Sequence, residues 1–104
     1  MEINNIWAII PAYNEEKNIT SIVKKTKKYI SNVVVVDDGS HDKTKEVVEK
    51  ADGIVLRHIV NLGKGAALKT GCDFAIKKGA NFIVALDIAI NGKTLYFKID
   101  KGNG

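Results

Sequence analysis

Val33-Val34-Val35-Val36-Asp37-Asp38-Gly39-Ser40 constrains the fold of this chain more than any other stretch. Four consecutive β-branched residues suit an extended backbone, and being apolar on both faces they suit a strand covered by helices on either side, as in a parallel sheet. The run ends on two carboxylates, which would stand at the carboxyl edge of the strand, where open α/β sheets bind ligands. Gly39 permits a sharp turn, and Ser40 or Asp42 is suited to capping the helix that follows. A purely structural role is the alternative: a buried strand and a capped turn, with the acids serving the helix dipole.

The flanking sequence repeats this alternation. Ile6–Ile10 reads as a strand ended by Pro11. Asn14 is a good N-cap for a helix over 15–31, whose apolar face is Ile19, Ile22, Val23, Thr26 and Ile30. A second helix is expected over 42–51 and a third strand over 54–58. Gly63 and Gly65 open a third helix with a buried stripe of Leu68, Gly71, Cys72, Ala75 and Ile76, closed by Gly79. Phe82–Asp87 is a fourth strand that again ends on an acid. This order predicts βαβ units and a mainly parallel, three-layer, Rossmann-like α/β sheet. Past residue 87 the pattern changes. Asn91-Gly92 is a strong hairpin signal, and Lys93–Ile99 reads as a returning antiparallel strand beside strand four. Its alternation of Thr94, Tyr96 and Lys98 with Leu95, Phe97 and Ile99 gives it one face to pack on the third helix.

Composition excludes several classes. At 104 residues the chain is one small domain, and its apolar runs are far too short to span a bilayer. The single cysteine, Cys72, cannot form an internal disulfide, which suits a cytoplasmic location, and its place in a helical pattern suggests a small core residue. The two histidines, His41 and His58, are expected in turns or at the surface. The net charge of +4 is almost wholly lysine, and Arg57 is the sole arginine. Lys24, Lys25, Lys27 and Lys28 form a basic cluster, but in a last helical turn they complement the helix dipole, and no arginine or aromatic readers accompany them. A solvated helix face is expected there, with no nucleic-acid partner.

Gly63-Lys64-Gly65-Ala66-Ala67-Leu68-Lys69-Thr70 matches neither nucleotide fingerprint in full. A Walker A loop needs glycine where Leu68 stands, and the dinucleotide motif needs its third glycine at the same place. What survives is a glycine-rich helix start with a lysine, able to approach an anion; a tight strand-to-helix turn is the structural alternative.

Taken together the loops are more specific. Pro11-Ala12-Tyr13-Asn14-Glu15-Glu16, Asp37-Asp38-Gly39-Ser40-His41-Asp42-Lys43-Thr44 and Asn61-Leu62-Gly63-Lys64-Gly65-Ala66-Ala67 occur in this order and spacing. Residues 5–87 closely resemble the N-terminal half of inverting family-two glycosyltransferases of the GT-A fold, most of all the polyprenol-phosphate (dolichol-phosphate) mannose or glucose synthases. The resemblance implies a half GT-A sheet of strand order 3-2-1-4, with residues 1–87 as the nucleotide-sugar-binding half of such a domain and 88–104 as a hairpin tail outside the family pattern. It implies that Pro11, Tyr13 and Glu15 line a nucleotide pocket, that Asp38, helped by Asp37, hydrogen-bonds the base or ribose, and that Lys64 lies near the nucleotide. The ligand implied is a GDP- or UDP-linked sugar, and the acceptor a polyprenyl phosphate. Asp87 matches the first acid of the family's Asp-x-Asp motif, which holds Mg²⁺ or Mn²⁺ against the diphosphate.

Ala89 stands where the second acid belongs, so metal binding is expected to be weak or absent. No residue in 88–104 matches the family's catalytic base or acceptor half, so this chain is expected to be inactive or nearly so. The alternative is a recombined or engineered truncated fold without activity, homodimeric through its added edge strand.

Overall fold

The computed structural model describes residues 5–88, and 94–100 as a backbone strand. Five strands and three helices alternate: β1 (Ile6–Ala12), α1 (Ile19–Lys27), β2 (Asn32–Asp37), α2 (Thr44–Lys50), β3 (Ile54–Arg57), α3 (Lys64–Lys77), β4 (Phe82–Ile88) and β5 (Thr94–Asp100). They form one sheet in the order β3-β2-β1-β4-β5. The first four strands are parallel, as expected, and β5 runs antiparallel to β4 with Leu95 opposite Asp87 and Ile99 opposite Ile83. The Asn91-Gly92 turn and Ala89 lie outside the described residues.

The valine run acts through its period of two. Val33 and Val35 enter a core with Ala8, Ile10, Ile19, Val23 and Val48 beneath α1 and α2. Val34 and Val36 enter a second core with Trp7, Ile9, Ala67 and Ala75 beneath α3. None of the four is more than 1% exposed. Each such side chain contributes about 1.5–3 kcal/mol by leaving water, so a polar residue at any of the four would remove a large share of a small domain's stability.

The buried stripe of α3 is Ala67, Gly71 and Ala75, with Leu68 and Cys72 half-buried beside it. Ile76, expected inside, is 44% exposed. The reason is how closely the helix lies on the sheet. A Cβ at Gly71 would come within 2.3 Å of Ile9 Cγ2, so only a narrow row of very small residues fits. At its C-terminus Gly79 takes φ +91, with the Gly79 amide donating to Ile76 and the Ala80 amide to Ala75. That glycine-closed end matches the expectation.

Several boundaries differ from expectation, among them the end of α1, at Lys27 and not 31. Helix α1 begins at Ile19, not 15, because the Glu15 carbonyl already accepts from the amides of Asn18 and Ile19 in a tight turn. Asn14 is therefore no N-cap; it sits at φ +54, where asparagine is better tolerated than most residues. Helix α2 begins at Thr44 with Lys43 in the N-cap position and no side-chain cap, so neither Ser40 nor Asp42 is the N-cap; Asp42, one residue earlier, accepts the Thr44 amide through Oδ1 at 3.0 Å. Strand β1 runs through Pro11 to Ala12. Proline is tolerated there because pairing with β4 stops at Ile9–Ala85, leaving only the β2 side to be satisfied.

Candidate functional site

Because β2 and β4 lie on opposite sides of β1, the direction of chain progression reverses between β1 and β4. Beyond Ile9 these two strands separate, and the crevice that opens is the usual ligand site of such sheets. It encloses about 190 Å³ and is lined by Pro11 from β1, Leu86 and Asp87 from β4, and Lys64, Gly65 and Leu68 from α3. Two charged groups meet in this largely apolar lining: Lys64 Nζ donates to Asp87 Oδ1 at 2.5 Å. Both stay accessible, with side chains 67% and 32% exposed. A Cβ at Gly65 would meet no atom within 4 Å, so the start of α3 leaves space beside the crevice.

Asp38 sets the position of that helix start. The Leu62 amide donates to its Oδ1 at 2.9 Å and the Gly63 amide to its Oδ2 at 2.8 Å. His58 Nδ1 lies 2.8 Å from the same Oδ1, and His58 Nε2 lies 2.8 Å from Thr70 Oγ1 on α3. Burial alone would raise the Asp38 pKa, but these amides and His58 outweigh it and hold the carboxyl below its ordinary value. His58, expected in a turn or at the surface, is instead a nearly buried bridge between strand end and helix, its side chain 11% exposed. The signal that would have found it is position: a polar residue directly after β3, as Asp38 is directly after β2.

Asp37 is 1% exposed. The Ser40 amide donates to its Oδ1 at 2.9 Å, while Oδ2 has no hydrogen-bond partner and Arg57 Nε stands 3.8 Å away. Arg57 itself donates through Nη2 to the Ser40 carbonyl at 3.0 Å.

The first two motif loops bind each other. Ser40 Oγ accepts from the Asn14 amide, Asn14 Oδ1 from the His41 amide, Thr44 Oγ1 from the Glu15 amide, and Asp42 Oδ2 from the Glu16 amide, at 2.8–3.2 Å. Thr44, fully buried, also donates its hydroxyl to Asp42. Burial raises the Asp42 pKa and this hydrogen bonding lowers it, with a net depression. Tyr13 and Glu15 thus sit on a fastened loop. Tyr13 is 43% exposed and edge-on to His41, and Glu15 Oε1 accepts from Asn18 Nδ2.

Of the residues singled out from sequence, the structure brings Pro11, Lys64 and Asp87 into one crevice and ties Asp38 to it through Gly63. Tyr13 and Glu15 lie on the loop after β1 and Asp37 at the end of β2, all outside that lining. Among the described residues no three His, Cys, Asp or Glu side chains cluster as a metal cage. Asp87 is the one carboxylate in the crevice lining, so a Mg²⁺ or Mn²⁺ ion fits here only as a shared site completed by phosphate oxygens and water. Cys72 is half-buried, and burial, with Asp73 beside it, pushes its thiol up, away from the thiolate form a nucleophile needs.

The glycosyl transferase family 2 model matches residues 7–87. The chain belongs to that family. An uncharacterized protein of Methanocaldococcus jannaschii is 47% identical over 89 residues, covering 83% of this chain and 37% of that protein. A dolichyl-phosphate beta-glucosyltransferase of Trichomonas vaginalis is 40% identical over 80 residues, 62% of this chain and 25% of that protein. The UDP-N-acetylglucosamine–dolichyl-phosphate N-acetylglucosaminyltransferase of Methanococcus voltae is 33% identical over 100 residues, 79% of this chain and 40% of that protein. This family 2 chain thus spans well under half the length of these relatives. Among solved structures it superimposes on glucosyl-3-phosphoglycerate synthase of Mycobacterium tuberculosis in complex with Mn²⁺ and UDP-glucose. There the TM-score is 0.68 at 25% identity, covering 82% of this chain and 33% of that one. The same enzyme has also been solved with Mg²⁺ and UDP. The family 2 domain therefore has the expected parallel GT-A architecture. Among its described residues no helix is long and apolar enough to cross a membrane.

Proposed function

We propose that residues 1–87 bind a nucleoside-diphosphate sugar, GDP- or UDP-linked, for transfer of a hexose to a polyprenyl phosphate. The observation that carries this reading is the Lys64–Asp87 pair in the crevice between β1 and β4, beside the glycine-rich start of α3. Lys64 would neutralise the diphosphate, and the amides at the helix start favour the same negative charge. Asp87 is the protein ligand for a Mg²⁺ or Mn²⁺ ion, which when bound stabilises the diphosphate as leaving group. Asp38 positions Lys64 through Gly63. Asp37 and Asp38, 1% and 3% exposed, would shape the nucleoside end from beneath, which leaves the exposed Tyr13, with Glu15, to meet base or ribose.

Calorimetric titration of this chain with UDP and with GDP in the presence of Mn²⁺ tests the reading. Saturable heat with either nucleotide is the expected result. No heat and no chemical-shift change at millimolar ligand would refute it.

A second reading is favoured by the single-acid donor set: a folded domain whose pocket is vestigial and whose transferase activity is nil. It predicts cooperative unfolding with no rise in melting temperature on adding nucleotide and metal. The outer strand β5 is also an edge along which two copies would pair, and light scattering that shows only monomer over a broad concentration range would dismiss the dimer.

A further inference from the structure

On the α1 side of the sheet, β4 has no helix of its own among the described residues, because α1 packs chiefly against β2 and α2. The gap is a groove of about 370 Å³, at the small end of the range for small-molecule sites. Ile30, Val84 and Leu86 form its apolar floor, and Lys25, Lys28 and Tyr29 from the end of α1 form its rim. Groove and crevice share only Leu86, so this surface is separate from the nucleotide site and its role does not rest on that reading.

The rim is positive and uncompensated. Among the described residues Lys25 and Lys28 have no carboxylate partner, nor has the exposed Lys24 in the same turn, whereas Lys45, Lys64 and Lys69 are each paired. Strand β5 adds Lys98 at the register position opposite Val84. The helix dipole favours lysines in a last turn, but it accounts neither for the apolar floor nor for Tyr29, a large ring 88% exposed. Ammonium groups on long apolar stems around an apolar slot, with a tyrosine at the rim, suit a layer that is anionic at its surface and hydrocarbon beneath. A nucleic-acid backbone would satisfy the lysines and leave the slot unfilled.

We propose that this groove docks the domain on an anionic lipid bilayer. Lys24, Lys25 and Lys28 meet headgroup phosphates, Tyr29 lies at headgroup level, and an acyl chain enters the slot over Val84 and Leu86. The contact is reversible, since it rests on surface charge and one small apolar slot.

Co-sedimentation of the chain with vesicles of equal parts phosphatidylcholine and phosphatidylglycerol, against vesicles of phosphatidylcholine alone, tests this. Binding should require the anionic lipid and should weaken as salt is raised. Each lysine near such a surface supports binding about five-fold, so Lys25→Gln and Lys28→Gln should each weaken it by about that factor, while Lys25→Arg keeps it. Lys45→Gln and Lys69→Gln, on α2 and α3, should leave binding nearly unchanged. Tyr29→Ser should weaken it with no change in melting temperature. Amide shifts on titration with a short-chain phosphatidylglycerol should gather at Lys25, Tyr29, Ile30 and Val84. Equal losses from Lys45→Gln and Lys69→Gln would reduce the effect to net charge and overturn the groove. So would binding indifferent to phosphatidylglycerol, binding unaltered in the Lys25→Gln/Lys28→Gln double variant, or amide shifts gathered elsewhere. Preference of the same lysines for random-sequence duplex DNA over the vesicles would overturn the lipid assignment.

Discussion

The Gly63 amide donates to Asp38 Oδ2 at 2.8 Å across 25 residues of sequence, and this single contact fixes where the first turn of α3 meets the crevice. Both Asp38 oxygens accept backbone amides, in a side chain only 5% exposed. A carboxylate so placed serves the fold directly and the site indirectly.

Asp38→Asn should therefore act first on the loop. An amide side chain offers one acceptor oxygen and an N–H₂ group, so one of the Leu62 and Gly63 amides is left without its partner. Leaving a buried donor unsatisfied costs about 1–3 kcal/mol. Urea unfolding should show a loss in that range, and hydrogen exchange at Leu62 and Gly63 should accelerate more than at the amides of β1.

The same carboxylate sets an acid limit. A depressed folded-state pKa means that Asp38 and Asp42 contribute stability that is fully present above the unfolded value, about 3.9, and is lost as pH falls through the lower folded values. Stability measured by thermal unfolding should hold down to about pH 4 on their account and decline below it. Asp38→Asn should flatten that decline; an unaltered pH profile would contradict the assignment.

Two glycines of α3 should separate packing from binding. Gly71→Ala forces a methyl to within 2.3 Å of Ile9 Cγ2 and should destabilise the chain by about 1–3 kcal/mol. Gly65→Ala meets no atom and improves helix propensity, so stability should hold or rise by up to about 1 kcal/mol. Its methyl lies beside the crevice, and calorimetry should show weaker nucleotide binding for Gly65→Ala.

Thr44→Val examines the seam between the first two loops. The replacement is close in shape but removes the acceptor for the Glu15 amide and the donor to Asp42, at a fully buried position. A loss of about 1–3 kcal/mol is expected from the buried amide left unpaired. Exchange at Glu15 should quicken, while amides on α3 keep their protection.

Much of this fold was legible because it is written in local periodicity. The valine run marks β2, the strand–helix alternation marks the parallel sheet, and Gly79 marks the end of α3, while the order 3-2-1-4 came with the family resemblance. The site was less legible because its decisive contacts cross long stretches of chain. Asn14 is equally good as a helix cap and as a left-handed loop residue, and only Ser40 and His41, 26 and 27 residues away, decide between them. His58 has no neighbour in sequence that announces Asp38 or Thr70. Ile76 looked internal because helical spacing cannot report that Gly71 brings the helix so close that the core stripe narrows to its smallest residues. Lys64 and Asp87 each suit a separate ligand when taken alone, and nothing in their spacing of 23 residues announces that they pair.

One further consequence follows from the peptide unit joining Gly63 to Lys64. Its first residue is a fixed pivot, held at φ +100 and latched by a buried acid, while its second carries a mostly exposed side chain held only at its tip, by Asp87. Mutational tolerance should therefore change abruptly across one covalent bond. Changes at position 64 should alter what the crevice accepts while the fold holds, and position 63 is where the architecture would break.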